Sequence, residues 1–257
     1  MTESIPESGP WERRIQSFAR RQGRLTQAQQ KALDGKWARY GLEPDQALPP
    51  DFIAAERRVL EIGFGDGESL IAMAKTEPTT FYVGIEVHRP GIGHLLMQAT
   101  EADLNNLRIY GCDAMDVLQR HIPDQSLDRL QLYFPDPWPK HRHHKRRLVK
   151  RPFLDLVARK LKPQGVFHAA TDWADYADDM VSELEQSGHF QSLTAPLSFC
   201  ERPTYRPITK FERRGQRLGH GVFDLIWINR LYEAGLETPS SGTAPNTGDE
   251  PDHRWAE

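Results

Sequence analysis

The 257-residue chain predicts an α/β fold with a mainly parallel sheet and helices on both faces. Three observations lead to this prediction. From residue 58 onward, short β-rich runs alternate with runs of helical composition. A glycine-rich turn follows the first of these strands, as expected where a strand bends sharply into a helix. The last apolar run, at 223–230, has no crossover helix after it, so we expect it to pair antiparallel at the end of the sheet.

The elements are predicted in chain order. The first fifty residues are polar and arginine-rich, and their helical composition is clearest at 25–33, with Thr26 as the N-cap. Strands are predicted at 59–62, 81–86, 107–110, 127–134, 166–170 and 223–230. Helices are predicted at 68–75, 91–101, 114–119, 150–161 and 173–187. The chain thus divides into a basic, partly helical arm (1–50), an α/β domain (51–236) and an acidic tail (237–257) whose composition predicts disorder.

The composition is compatible with a nucleic-acid partner, although the formal net charge is -3. The tail holds five acids and one base, and without it the charge becomes about +1. The remaining cations cluster at 13–24 and 140–150. The cysteines Cys112 and Cys200 form no redox or disulfide motif, so we expect packed free thiols in a reducing cytoplasm. The N-terminus lacks secretory features, and no apolar run reaches the length of a membrane span, about 18 residues.

Acidic side chains follow three successive predicted strands. Glu61 precedes a G-x-G-x-G turn, Glu86 follows the second strand, and Asp113 follows the third. Because these strand ends meet at one sheet edge, they predict a cleft for an adenosyl ligand with a cationic group. The alternatives are a tight turn without a ligand, a surface acid at position 86, and an N-cap role for Asp113. The turn glycines are Gly63, Gly65 and Gly67.

The predicted strand at 127–134 ends in a Pro-Asp-Pro-Trp-Pro-Lys loop at 135–140, followed by a dense cationic run. Proline cannot continue a strand ladder, so the loop begins near 134 and places Asp136 at the sheet edge. Trp138 either stacks on a base or braces the loop. The nearby histidines, at 141, 143 and 144, lack a fourth metal ligand at sensible spacing, which favours a solvated phosphate-binding face over a metal site.

These features resemble known families. The three acids resemble those of class I S-adenosylmethionine-dependent methyltransferases. The loop at 135–140 is similar to that of the bacterial tRNA (guanine-N7)-methyltransferase family, and the similarity covers roughly residues 15–230. The segments that agree with that family are 17–24, 61–67, 84–87, 145–147, 171–173, Tyr176 and 209–215.

The resemblance implies a Rossmann-like class I methyltransferase fold with seven strands, the last antiparallel. It implies methyl transfer from S-adenosyl-L-methionine to N7 of guanosine 46 in the variable loop of tRNA. By that resemblance, the cofactor-binding residues are Glu61, Gly63, Gly65, Gly67, Glu86, Asp113 and Asp136. Asp136 is also the candidate catalytic residue. The implied substrate-binding residues are Lys140, Asp172, Thr209, Lys210, Phe211 and Glu212.

The chemistry of the residues is compatible with that reaction. Guanine N7 carries an unprotonated lone pair, so its methylation needs alignment rather than a general base. Carboxylates such as Asp136, Asp172 and Glu212 match the N–H donors on the other edge of guanine. The alternatives are an amino methyltransferase and a non-catalytic RNA-binding protein, while the G-x-G-x-G spacing disfavours a dinucleotide oxidoreductase. The two basic clusters are expected to hold tRNA phosphates. A monomer is expected, with a homodimer as the alternative.

Overall fold

A computed structural model describes residues 17–18, 23–195, 199–209, 212–213 and 221–230. The strands are β1 (Gly41–Leu42), β2 (Arg57–Ile62), β3 (Thr80–Ile85), β4 (Leu107–Tyr110), β5 (Leu127–Tyr133), β6 (Leu161–Thr171), β7 (Phe190–Ser192) and β8 (Phe223–Asn229). The helices are α1 (Gln27–Tyr40), α2 (Pro50–Ala54), α3 (Glu68–Thr76), α4 (Arg89–Glu101), α5 (Ala114–Arg120), α6 (Arg151–Lys160) and α7 (Ala174–Ser187). A 3-10 helix covers His141–Arg146.

The described strands form one sheet in the order β1-β4-β3-β2-β5-β6-β8-β7. The pairs from β1 to β6 are parallel, whereas β8 is antiparallel to both β6 and β7. The α/β prediction with an antiparallel last strand is therefore confirmed. The prediction of seven strands is wrong, since the described residues form eight. The strands missing from the sequence prediction, β1 and β7, have two and three residues, too few to show a strand pattern.

Side chains of the sheet alternate between two hydrophobic clusters. In β2, Leu60 and Ile62 pack in one cluster with residues of α5, α6 and α7, while Val59 packs in the other with residues of α3 and α4. Helices therefore cover both faces of the sheet, which is why most residues of its inner strands are buried and those of β3 are buried throughout. In the part of the chain that the structure describes, no helix is long and apolar enough to cross a bilayer.

The predicted basic arm is partly integrated into the fold. Helix α1 starts at the expected cap, where Thr26 and Gln29 form a capping box. Its last residue, Tyr40, is fully buried and donates its hydroxyl to the carbonyl of Ala99 in α4 at 2.9 Å. β1 then pairs with β4. The expected basic residues Arg13, Arg14, Arg20 and Arg21 and the acidic tail lie outside the described residues, so the arm and tail boundaries stay predictions.

The N-terminus of α4 packs directly on the glycine-rich turn after β2. A Cβ atom added at Gly91 would lie 2.0 Å from the carbonyl oxygen of Gly65. The helix and the turn can therefore approach each other this closely only because position 91 has no side chain. This contact fixes the turn from the side of α4.

We predict that Gly91→Ala destabilises the protein by about 1–3 kcal/mol, because backbone must move to accept the methyl group. Gly35→Ala is the matched control, since Gly35 also lies in a helix and its added Cβ would meet nothing within 4 Å. The control should gain roughly 0.5–1 kcal/mol from higher helix propensity. Urea unfolding of the two variants checks both expectations, and a Gly91→Ala protein as stable as Gly35→Ala would contradict the first.

Candidate active site

A pocket of about 320 Å³ opens at the carboxyl ends of β2, β3, β4 and β5. The loops after these strands bring Gly63, Gly65, Glu86, Asp113 and Asp136 together on its walls. The sequence predicts each of these five residues as a site residue separately, and they are spread over 74 positions of the chain. In the structure they line one cavity. The segment Ser17–Phe18 also lines the pocket, from outside the sheet.

The glycine-rich turn and Glu86 stabilise each other. Gly63, Gly65 and Gly67 have φ angles of 73°, 61° and 80°, which favour glycine. The Glu86 carboxylate accepts from the Gly65 N–H through Oε2 at 2.8 Å. Its Oε1 accepts from the N–H groups of Val87 and His88, at 2.7 Å and 2.9 Å. Glu86 is thus held by three backbone donors, and about one of its four acceptor positions is left for a ligand.

Asp113 and Cys112 lie side by side at the end of β4. Asp113 caps α5 by accepting from the Met115 N–H at 2.8 Å through Oδ1, as one of the alternatives for this residue held. It also lines the pocket, so the two roles occur together. Burial raises the pKa of the Cys112 thiol to about 11, helped by the nearby carboxylates of Asp116 and Asp113. Cys112 is therefore a neutral thiol in the pocket wall.

Glu61 is buried rather than exposed to the pocket. It is 2% exposed, and the pocket lining includes Ile62 and Gly63 but not Glu61. The Ser69 hydroxyl donates to its Oε1 at 2.9 Å, while Oε2 is buried without a hydrogen-bond partner. Burial raises the pKa of Glu61 to about 7, against the lowering effects of Ser69 and of the Arg129 charge. Contact of Glu61 or Gly67 with a cofactor stays a prediction.

The Pro-Asp-Pro-Trp loop is strained and tied down at both ends. Phe134 and Trp138 have φ angles of 50° and 46°, an unfavourable region for bulky side chains. The Phe134 N–H donates to the Ala170 carbonyl at 2.7 Å. The Trp138 indole N–H donates to the Ser17 carbonyl at 3.0 Å, and the Arg146 guanidinium carbon lies 4.8 Å from the ring centre. These contacts favour the bracing role of Trp138 over base stacking.

Arg147 connects this loop to helix α7. Its side chain is 1% exposed, and its Nε donates to the Pro137 carbonyl at 3.0 Å. Its terminal nitrogens pair with Asp175 and, at 3.3 Å, with Asp179. The Arg147 hydrogen bond is the leading cause that lowers the pKa of Asp175. Because a buried guanidinium requires such partners, the loop and the start of α7 are held at a fixed distance.

The expected substrate residues lie around the same edge. Lys140 is exposed and precedes the 3-10 helix, and Asp172 is half-buried directly after β6. Thr209 accepts from the Glu212 N–H through Oγ1 at 3.1 Å. Glu212 is 2% exposed, with both carboxylate oxygens bonded to Arg206. Lys210 and Phe211 lie outside the described residues, and the described histidines, cysteines and acids form no group of three that could hold a metal.

Comparison with known proteins identifies the family. A family model described as "Putative methyltransferase" matches residues 55–225. The tRNA (guanine-N(7)-)-methyltransferase of Alcanivorax borkumensis is 51% identical over 228 residues, which is 88% of this chain and 95% of that protein. The enzyme of the same name from Serratia proteamaculans is 54% identical over 231 residues, 88% of this chain and 96% of that protein. The chain belongs to the tRNA (guanine-N7-)-methyltransferase family.

Solved structures agree with the fold of this methyltransferase. The 16S rRNA methyltransferase KamB superposes with a TM-score of 0.50 over 70% of this chain and 91% of that chain. The two sequences are 18% identical, so this likeness concerns the fold alone. The resemblance to class I methyltransferases found in the sequence is thereby confirmed at the level of architecture.

Some residues of the site have no recognisable sequence pattern. Arg206 lies in a proline-flanked loop without periodicity. Ser17 and Arg147 fall within segments that resemble the family, 17–24 and 145–147, but no local feature distinguishes Ser17 from its neighbours or Arg147 from the other cations of the run 140–147. Arg147 and Arg206 differ from exposed cations in being buried and in their hydrogen-bond partners, and both properties depend on tertiary contacts. The only sequence signal for such a buried arginine is its position close to prolines.

We predict that Glu61 makes the stability of the cofactor-free protein fall with rising pH. Its folded pKa of about 7 exceeds its ordinary value of 4.5, so the folded state retains a proton that the unfolded state has lost. The stabilisation that comes from this retained proton is complete below pH 4.5 and is lost as the pH rises through 7. The resulting change in the free energy of unfolding is at most about 3 kcal/mol.

Unfolding free energies of the wild type and Glu61→Gln between pH 4 and pH 8 test this expectation. The variant has no titrating group at this position, so it should gain stability relative to the wild type as the pH rises. Glu101→Gln is the control, because Glu101 is exposed at the end of α4. A Glu61→Gln difference that stays constant across the series would mean that Glu61 titrates normally.

Proposed function

We propose that this protein methylates N7 of guanosine 46 in the variable loop of tRNA, using S-adenosyl-L-methionine, in the cytoplasm. The observation that carries the proposal is that Asp136, from the Pro-Asp-Pro-Trp loop, lines the same pocket as Glu86 and Asp113. The family's loop and the acids of an adenosyl site thus share one cavity. Membership of the tRNA (guanine-N7-)-methyltransferase family supports the same reaction.

The pocket fits a nucleoside cofactor. Its volume of about 320 Å³ lies in the range of small-molecule sites. We propose that Glu86 binds ribose hydroxyls, that Asp113 accepts from the adenine amino group, and that the backbone of Gly63 and Gly65 lies against the ligand. Glu61 and Gly67 support this turn from its buried side. S-Adenosyl-L-methionine supplies an activated methyl group when bound.

The protein's own residues contribute positioning and electrostatics. Asp136 and Asp172 leave the sheet from neighbouring parallel strands, β5 and β6. Their carboxylates are suited to accept from N1–H and the N2 amino group of guanine, which orients N7 toward the cofactor pocket. A nearby carboxylate also stabilises the positive charge that develops on the ring during methylation. Thr209 and Glu212 are proposed to bind the substrate from the adjacent turn.

The 3-10 helix offers a cationic surface beside this pocket. Lys140, Arg142, Lys145 and Arg146 are exposed, whereas Arg147 of the same run is buried. Arg24 is exposed too, and its neighbour Gly23 lies close to His88 of the pocket lining. Exposed lysines and arginines bind nucleic acids mainly through phosphates. We propose that this surface holds the tRNA backbone while the target base enters the pocket.

The direct test of the proposed function is methyl transfer from labelled cofactor to an unmodified tRNA transcript. Chain cleavage at N7-methylguanosine should map the product to position 46. A transcript with adenosine at that position is the control and should accept no methyl group there. Label recovered in adenine, or in no nucleoside of the tRNA, would contradict the proposal.

We predict that Asp136→Asn reduces the single-turnover rate by about a hundredfold or more, because an electrostatic stabiliser is lost while shape is kept. Glu86→Ala is the matched comparison. It should weaken cofactor binding by about tenfold or more, since a charge-assisted hydrogen bond is removed. Calorimetry with the cofactor and single-turnover rates at saturating cofactor separate the two effects. Near wild-type turnover of Asp136→Asn would remove Asp136 from the catalytic role.

We predict that Arg142→Ala/Lys145→Ala makes tRNA binding less sensitive to salt. Each phosphate contact contributes roughly 0.7–0.9 to the slope of log affinity against log salt, so the slope should become shallower by about 1.5. The control is Lys75→Ala/Arg120→Ala, which removes two exposed cations at the opposite edge of the sheet. Binding across a salt series measures both, and equal slopes in the two double variants would disprove the placement of tRNA.

A further inference from the structure

One part of the sheet carries a buried polar cluster next to the proposed substrate site. Arg206 lies at its centre and is fully buried. Its guanidinium donates to both carboxylate oxygens of Glu212, at 2.6 Å and 3.2 Å. It also donates to both oxygens of Asp224, at 2.7 Å and 2.8 Å. A single planar guanidinium thus holds two carboxylates in two-point contacts.

Asp224 is fixed to the sheet independently of Arg206. It lies in β8, where it pairs with Ala170 of β6. Its Oδ1 lies 2.8 Å from His168 Nε2. Burial lowers the pKa of His168 to about 4, so the ring is neutral near neutral pH. Burial alone would raise the pKa of Asp224, but the hydrogen bonds from His168 and Arg206 outweigh it and lower this pKa.

The other nitrogen of His168 extends the cluster toward the catalytic loop. His168 Nδ1 lies 3.0 Å from the hydroxyl of Tyr133 and 3.0 Å from that of Tyr205. If Nε2 donates to Asp224, then the single lone pair of Nδ1 accepts from one of these two hydroxyls. The Asp224 carboxylate is therefore a rigid anchor for Arg206.

Apart from the pair with Arg206, the described contacts of Glu212 and the neighbouring Arg213 are exposed or local. The Thr209 carbonyl accepts from the Arg213 N–H at 3.0 Å, and the exposed Arg213 guanidinium donates to both oxygens of Glu68, at 2.6 Å and 2.8 Å. Arg206 connects Glu212 to Asp224 of β8. Asp224 pairs with Ala170 of β6, which is two residues before Asp172. The Arg206 guanidinium carbon also lies 5.8 Å from the ring of Phe134, which leads into the Asp136 loop.

We propose that Arg206 is a positioning residue that fixes Glu212, and through it Thr209, against the sheet before tRNA binds. This inference rests on the proposed function, because it requires Thr209 and Glu212 to bind the substrate. Arg206 acts through Glu212 and does not touch the base. A lysine cannot replace it, since a single ammonium lacks the planar fork that reaches two carboxylates at once.

The central variant is Arg206→Lys, which keeps the charge but loses the fork. The KM for tRNA should rise about tenfold, as expected for the loss of a preformed contact. The dissociation constant of the cofactor should change less than about twofold, because Arg206 does not line the pocket. Asp224→Asn is a second variant that weakens the same anchor from the strand, and it should raise the KM for tRNA in the same direction.

Arg58→Lys is the matched control for lost stability. Arg58 lies at the amino end of β2, away from the pocket, and its side chain donates to the carbonyls of Phe52 and Ile53 at 2.9 Å and 2.7 Å. Its substitution should lower the melting temperature and leave the KM for tRNA unchanged. If Arg206→Lys lowers only the melting temperature or the active fraction, as Arg58→Lys does, the positioning role is wrong.

A double-variant cycle tests whether Arg206 acts through Glu212. If it does, Arg206→Lys/Glu212→Gln should have a KM for tRNA within about twofold of the worse single variant. Independent effects that multiply would overturn the proposal. So would a Glu212→Gln protein with unchanged KM, while the wild type still methylates guanosine 46. A wild type that does not methylate guanosine in tRNA would instead show that the proposed function fails.

Discussion

Parallel pairing of β2 with strands on both of its sides is the constraint on which the site depends. Its residues pair with β3 from Arg57 to Ile62, and with β5 from Val59 onward. The chain leaves β2 toward one side through α3 and reaches β5 on the other side later, so a crevice opens at its carboxyl end. Glu86 follows the neighbour on one side, and Asp136 follows the neighbour on the other. The pocket is thus a consequence of strand order.

Two buried arginines hold chain segments at this crevice and beside it. Arg147 connects the Asp136 loop to α7, and Arg206 connects Glu212 to β8. Leaving a buried guanidinium without a partner is costly, so each arginine keeps its loop in place once the sheet has formed. The segments proposed to receive the substrate are therefore held by charge pairing as well as by hydrophobic contacts.

Strain in the Pro-Asp-Pro-Trp loop is offset by the same kind of support. Phe134 and Trp138 have left-handed backbone conformations that bulky residues rarely adopt. The bonds to Ala170 and Ser17, together with the Arg147 contact to Pro137, hold these conformations. A loop held in this way keeps the carboxylate of Asp136 at the pocket without a conformational search. Such preorganisation suits a reaction that depends on alignment rather than on proton transfer.

The sequence by itself determined the α/β class, the parallel strands, the reversed last strand and the loops that carry Glu86, Asp113 and Asp136. These features follow from local composition, glycine and proline positions, and the rule that parallel strands end at one edge. Strands β1 and β7 escaped prediction because two or three residues carry no alternation. The packing of α1 on α4 could not be predicted from the sequence either, because the two helices are distant along the chain.

Only the tertiary structure decided which charged residues are buried and what they hold. Glu61 and Glu86 are both acids next to the glycine turn in space, yet one is a buried carboxyl with a raised pKa and the other is exposed to the pocket. Arg147 and Arg206 look like surface cations in the sequence, but the structure makes them internal connections. The physical reason is that burial and pairing are properties of distant chain segments brought together, which local sequence patterns do not encode.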